Sequence, residues 1–579
     1  MRNAKIVCTL GPATNDDASV RALADAGMTV ARINASHGDA AARRELIETT
    51  RAVDAQTDKP LAVMLDTQGP EVRTAPIDDD GTIHIETGSD VAFVEGDTAT
   101  PDRIGISTSI AAAEPGDTVL LDDGRIEADV DRVAGDTVHA TVVSGGSLGS
   151  RKGVNVPGVE LDVDVVTEKD RRDLALAAEL DVDYVAASFV RDADDVLAVN
   201  RVLESHGADI PIVAKIERAG AVENLDGIID AAQGVMVARG DLGVECPMED
   251  VPMIQKRIIA QCRDAGVPVI TATEMLDSMV HARRPTRAEA SDVANAVLDG
   301  TDGVMLSAET AVGDNPTRVV ETMDRIVREV EGSAEYSERQ EQAVPTADGT
   351  AKTDALARSA RYLARDIDAS AVVVASESGY TARKAAKFRP SVPVVCATPS
   401  HDVRRQLALN WGVHANYAAV AEGDATTVVE RAVQAAVDSG VVASGDTVVV
   451  LVGMMTELEG ASTTNTLKVH VAAETLSTGR AVVDGRTTGR TYRADSGDLS
   501  DAPENAVVLL AHGFDGEFDG DLSKIGAIVS ADAGLTGYPA VIARELDVPM
   551  VGDVDVDAVP AGDLVTVDGE RGVVYEADQ

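Results

Sequence analysis

"IPIVAKIERAG", residues 210–220, is an apolar run that ends in charge. It reads as a buried strand, and side chains two apart on a strand share a face, so Lys215 and Glu217 aim at one spot. Seven further runs of the same texture lie within residues 1–310: "KIVCTL", "MTVARI", "LAVMLD", "DYVAASF", "GVMVAR", "VPVITAT" and "DGVMLS". They are almost continuously apolar and alternate with helical Ala/Leu/Glu segments, the pattern of parallel strands covered on both faces. Eight such units predict a (β/α)₈ TIM barrel.

The third and fourth runs are too far apart for one crossover helix. Residues 70–158 between them carry short alternating pieces such as "GTIHIETG" and "DTVLLDDGRIEADV". They predict an inserted β-domain, a small β-barrel lid, that splits the barrel into 1–69 and 159–342. After an acidic, polar stretch, α/β alternation resumes and predicts a separate domain over 346–476. "STGRAVVDGRTTGRTYRADSGD" reads as a Gly/Arg/Thr-rich connector into a last unit, 480–579.

A chain of 579 residues is too long for a single core. No apolar run reaches the roughly 18 residues of a membrane span, and "MRNAKIVCTL" lacks a signal peptide's apolar region. A cytoplasmic location is expected. Four well-separated cysteines, without C-x-x-C pairs, read as reduced thiols. The net charge of −47 rests on 11 Lys and 40 Arg against 98 acidic residues. Such a surface suits a cytosol of molar salt, where screening acts over about 3 Å. It disfavours nucleic acid and anionic membranes as partners.

In a parallel barrel, chemistry gathers at the C-terminal ends of the strands. Nearly every predicted strand here ends in polar residues: Thr9; Arg32, Asn34 and Ser36; Asp66 and Thr67; Ser188; Lys215 and Glu217; Arg239 and Asp241; Thr273; Ser307 and Glu309. One or two could be buried hydrogen-bonding fillers, but a full ring points to a site. Glu217 and Asp241 follow successive strands and can converge on one hard divalent cation such as Mg²⁺. Lys215 and Glu217 can also simply pair with each other. Beside a metal, Lys215 and Arg32 would serve as a clamp on a phosphoryl group, and "RGDLG" adds backbone N–H groups for a carboxylate or phosphate.

"KIVCTLGPA", "ARINASHG", "LDTQGPEVRT", "LGSRKGVNVPG", "KIER", "MVARGDLGVE", "TATEMLDSM" and "RPTRAEASDVANAVLDGTDGVMLSAETAVGDNP" occur in order and resemble pyruvate kinase. The resemblance covers roughly 1–475 and implies transfer of the phosphoryl group of phosphoenolpyruvate to ADP, giving ATP and pyruvate. It implies Mg²⁺ (or Mn²⁺) on Glu217 and Asp241, with Lys215 on the transferring phosphoryl oxygens. Arg32 would meet the substrate phosphate, Gly240, Asp241 and Thr273 its carboxylate side, and Thr273 would stand near the enolate protonation face. Asn34, Ser36, Asp66 and Thr67 match the family's K⁺ site, and Glu71 the residue associated with K⁺ dependence. Asn34, His37, Arg73 and Lys152 match nucleotide-side positions, with Lys152 carried by the lid.

Gln68, Ala35, Arg151 and Glu274 depart from the family's commoner residues, and none touches the metal or the phosphoryl clamp. A homotetramer is implied, and "SGYTARK" and "LEGASTTN" are candidate effector loops. The last unit resembles the phosphohistidine swivelling domain of phosphoenolpyruvate-using enzymes, with Tyr538 where the acceptor histidine would stand. Tyrosine lacks a neutral nitrogen nucleophile, so a structural or regulatory role is expected there. A carbon–carbon lyase on a similar barrel would share the acidic pair without needing the K⁺ cluster or lid. A catalytically dead binding protein would be expected to have lost Lys215 or a metal ligand.

Overall fold

A computed structural model describes residues 2–77, 81–159, 161, 163–347, 351–420, 425–452, 464–473, 475–494, 496–532 and 534–577. Eight strands close a parallel barrel: β1 (Lys5–Thr9), β2 (Val30–Asn34), β3 (Ala62–Asp66), β4 (Tyr184–Ala187), β5 (Ile212–Ile216), β6 (Gly234–Ala238), β7 (Val269–Ala272) and β8 (Gly303–Leu306). Each is one of the eight apolar runs. The period of two sorts their side chains. Val30, Ala62, Met64 and Val213 fill the barrel interior, whereas Ile33, Val63, Leu65, Ile212, Ala214 and Ile216 pack outward against helices. Continuing the inward set along each strand delivers Arg32, Asp66, Lys215 and Glu217 to the interior of the C-terminal rim.

Helix ends follow ordinary capping chemistry. Thr167 and Thr286 form capping boxes with Asp170 and Glu289, and Gly266 and Gly300 close helices in the left-handed conformation.

Between β3 and β4 the chain forms a seven-stranded sheet and a two-stranded ribbon, Thr82–Ile85 with Gly146–Gly149, which share one core containing Phe93, Ile104, Val119 and Leu148. Exit and return lie side by side. Asp170 accepts from Gly69 N at 3.1 Å with one oxygen and from Thr167 N at 3.0 Å with the other. Gly69 sits at φ 71°, and a Cβ there would meet Ser188 Cβ at 2.9 Å, so only glycine fits this turn.

The next unit is a five-stranded sheet with helices, and it stoppers the N-terminal end of the barrel: Ala408 and Leu409 join the interior core. Polar ties surround this plug. Lys5 Nζ donates to Val413 O at 2.8 Å, Tyr184 Oη to Gln406 O at 2.5 Å, and Arg405 pairs with Asp183 at 2.8 Å. Arg389 donates to Gly300 O at 2.8 Å, pairs with Asp302 at 3.1 Å and lies 4.7 Å from the Trp411 ring centre.

The supposed connector is a correction. Thr475–Thr478, Arg480–Val483 and Arg486–Arg493 are strands of an eight-stranded sheet that forms the last unit. Their threonines favour extended backbone and their arginines face solvent, so a polar, Gly-punctuated sequence hides half-exposed strands. Tyr538 opens the helix Tyr538–Leu546, and its ring lies 5.7 Å from that of Phe518. "SGYTARK" spans the start of the helix Tyr380–Lys387, whereas "LEGASTTN" falls largely outside the described residues. All four cysteines are free thiols. Among the described residues no helix is long and apolar enough to cross a membrane.

Candidate active site

The rim of the barrel gathers a buried network of charge. Lys215 Nζ lies 2.7 Å from Glu217 Oε1, 3.3 Å from Asp66 Oδ1 and 2.7 Å from Ser188 Oγ. Arg32 Nε meets the other Asp66 oxygen at 2.6 Å, and its Nη1 donates to Thr9 Oγ1 at 2.9 Å. Glu217 Oε2 accepts from Phe189 N at 2.6 Å. Asp66 is fully buried and Glu217 nearly so. The pairing of Lys215 with Glu217 therefore holds, but as one edge of a larger cluster.

These contacts bias the protonation states. Burial lowers the pKa of Lys215, but Asp66 and Glu217 outweigh it and hold the ammonium charged well above its ordinary range. Burial raises Asp66, but Arg32 and Lys215 overcome it and keep the carboxylate ionised. Glu217 is pushed up to about 7 by burial and by repulsion from Asp241, only partly offset by Lys215. The negative charge of Asp241 beside Glu217 makes this a place where a cation would relieve repulsion.

Strand 6 runs directly into the short helix Arg239–Glu245, which carries Gly240 and Asp241. A Cβ on Gly240 would come within 2.8 Å of Thr273 Cγ2, so the two residues face each other across a narrow gap. Thr273 has φ 73° and Glu274 φ 54°. Left-handed backbone at a β-branched residue costs on the order of 1–3 kcal/mol and persists where the surroundings impose it.

Asn34 Oδ1 accepts from Ser36 N at 3.0 Å, which folds the turn after β2 back on itself. Asn34 is in register with Asp66 on β3, and Thr67 N donates to Ala186 O at 2.9 Å, so Asn34, Asp66 and Thr67 lie at adjoining strand ends. Lys169 donates to Ala35 O at 2.5 Å and pairs with Asp173 at 2.8 Å, tying this turn to the helix that follows the inserted domain. Glu71 pairs with Arg73 at 2.6 Å, and Arg73 Nη1 reaches Arg151 O at 2.9 Å. Burial raises the Glu71 pKa, against the pull of Arg73.

Arg32, Asp66, Lys215 and Glu217 are thus in direct contact, with Asp241 electrostatically coupled and Gly240 against Thr273. Three nucleotide-side candidates are not drawn into this network. Arg73 is held by Glu71. Lys152 pairs with Asp122 inside the inserted domain at 2.8 Å, and His37 is exposed. Sequence reasoning assigned no role to Ser188, although its hydroxyl accepts from Lys215 and donates to Thr67 O at 2.7 Å. Its place at the end of β4 was the available signal. Asp292, which grips Arg239, gave none.

Family models match three successive segments: "Pyruvate kinase, barrel domain" over residues 1–320, "Pyruvate kinase, alpha/beta domain" over 354–470 and "PEP-utilising enzyme, mobile domain" over 503–572. A pyruvate kinase of Geobacillus stearothermophilus is 41% identical, with 99% of this chain and 98% of that protein covered. One from Bacillus licheniformis is 39% identical over 100% and 99%. A Staphylococcus aureus pyruvate kinase is 38% identical over 100% and 99%. These matches run over essentially the whole chain and the whole of each relative, and the chain belongs to the pyruvate kinase family of phosphotransferases.

Proposed function

We propose that the chain transfers the phosphoryl group of phosphoenolpyruvate to ADP, giving pyruvate and ATP, and that it uses Mg²⁺ (or Mn²⁺) and K⁺. The observation that carries this reading is the buried ammonium of Lys215, held between Asp66 and Glu217 beside Arg32. Phosphoryl transfer asks little covalent chemistry of a protein and much fixed positive charge in a dry site. Lys215 and Arg32 supply it, and the carboxylates that grip them keep Lys215 charged where burial alone would discharge it.

Glu217 and Asp241 are the residues that would hold the divalent cation. The fit rests on their mutual repulsion, which a cation would relieve, and on a pair of oxygen ligands that leaves room for water and substrate. When bound, the ion supplies neutralisation of charge on the substrate's oxygens. Asn34, Ser36, Asp66 and Thr67 would hold K⁺; amide, hydroxyl and carboxylate oxygens suit a large, weakly bound ion.

Arg32 and Lys215 bind the phosphate, and Gly240, Asp241 and Thr273 receive the carboxylate end. The glycine leaves backbone open where a side chain would strike Thr273. His37, Arg73 and Lys152 serve the nucleotide, which requires Lys152 to exchange Asp122 for a phosphate as the inserted domain closes. Closure excludes water that would otherwise take the phosphoryl group. The last unit acts structurally or in regulation, since Tyr538 packs on Phe518 and offers no imidazole. A cytoplasmic homotetramer completes the reading.

A coupled assay tests it. ATP should form from ADP and phosphoenolpyruvate only with Mg²⁺ or Mn²⁺, and turnover should collapse when K⁺ is replaced by a bulky organic cation. Formation of ATP in the presence of a chelator would sink the metal assignment.

A further inference from the structure

The loop after β7 carries the most constrained backbone at the rim, with Thr273 and Glu274 consecutively left-handed. Such a conformation needs neighbours that over-determine it. Arg239 is one. Its Nε donates to the Ala272 carbonyl at 2.9 Å and its Nη2 to the Thr273 carbonyl at 2.7 Å. From the far side Asp292, on the helix Arg287–Asp299, grips the same guanidinium with two contacts of 2.7 Å. That bidentate fork fixes the plane of the guanidinium as well as its position. Met275 Sδ, at 2.8 Å, and Gln255 Oε1, at 3.4 Å, complete the shell. All three guanidinium nitrogens are engaged within the protein, so Arg239 acts on the loop and not on a ligand. On the other flank, Glu309 accepts from Leu276 N at 3.1 Å and Ser307 N at 2.6 Å, anchoring the end of the same loop to β8.

We propose that Arg239, locked by Asp292, is a positioning residue: it holds Thr273 left-handed and thereby sets where the Thr273 hydroxyl stands relative to Gly240 and Asp241. The chain order serves this arrangement, because Arg239 immediately precedes Gly240, against which Thr273 packs. One guanidinium thus registers the end of β6 against the end of β7. The inference rests on the reading of Thr273 as a substrate-side residue given above.

A double-mutant cycle tests it. Asp292→Asn should lower kcat about tenfold and Arg239→Lys about a hundredfold, with the KM for phosphoenolpyruvate moving less than about threefold, as misplacement of a positioned group predicts. Either change, added to Thr273→Ala, should cost less than a further twofold. Losses that multiply in the double variants, or single variants with unaltered kcat, would overturn the proposal. A crystal structure of Arg239→Gln, or of Asp292→Asn should the first fail to fold, gives a readout independent of activity. Relaxation of Thr273 to negative φ is the supporting result, and retention of φ near 73° the refuting one. If the unaltered chain makes no ATP from phosphoenolpyruvate and ADP, the assigned reaction falls, while the crystallographic outcome still decides the positioning role.

Discussion

Two buried lysines sit at opposite ends of the same barrel, and burial treats them differently. Lys5, at the start of β1, points to the plug and finds a backbone carbonyl, Val413 O. Burial, reinforced by Arg2, lowers its pKa to about 7 against the weaker pull of Glu331 and Asp302. Lys215, at the end of β5, is as deeply enclosed yet is held charged by Asp66 and Glu217. Removal from water is common to both. What separates the two is the company of carboxylates, which the rim concentrates and the base spreads among arginines.

The contrast breaks most sharply at Lys215. Lys215→Met should cut turnover by about a thousandfold or more while Mn²⁺ still binds, as read by titration of its paramagnetic signal. Unchanged turnover would remove the role given to the ammonium. At the base, Arg389→Ala deletes the partner of Asp302 and the stack on Trp411. Leaving Asp302 buried without its partner should cost about 3–5 kcal/mol in urea unfolding, with kcat per folded molecule within about twofold. A selective loss of kcat there would dissolve the distinction between the two ends.

The smallest effect concerns Lys5 and pH. Its folded pKa, about 7, lies below the ordinary 10.5, so between these values the unfolded chain binds the extra proton. Stability contributed by this group therefore rises as pH climbs through that window and is lost as pH falls back through it. Unfolding at pH 7.5 and 9.5 should show a gain for the unaltered chain, on the order of 1–2 kcal/mol, that Lys5→Met lacks. Equal slopes for the two proteins would contradict the burial argument.

Much of the barrel was legible because its strands are covered on both faces and so read as unbroken apolar runs. The polar ring was legible for the same reason, since a charge at the end of such a run is conspicuous. The partners within the ring were not. Lys215 and Glu217 declare each other by spacing, but Asp66 reaches Lys215 only through closure of the sheet, and Asp292 reaches Arg239 from the helix of the following unit. Lys152 carries no sign in its motif that Asp122 would claim it. The strands of 475–493 are hidden in the sequence because they are half-exposed, and alternation of Arg and Thr resembles a linker.

The shared anchor at Asp170 has an evolutionary consequence. Because one carboxylate receives both the departing and the returning strand of the insertion, the barrel closes its third and fourth strands without help from the residues in between. The inserted domain is therefore a cassette, replaceable by a short turn without altering the scaffold's topology, as expected where the ends of a module lie close together. Change can then accumulate in the cassette while the buried charge cluster at the rim stays fixed.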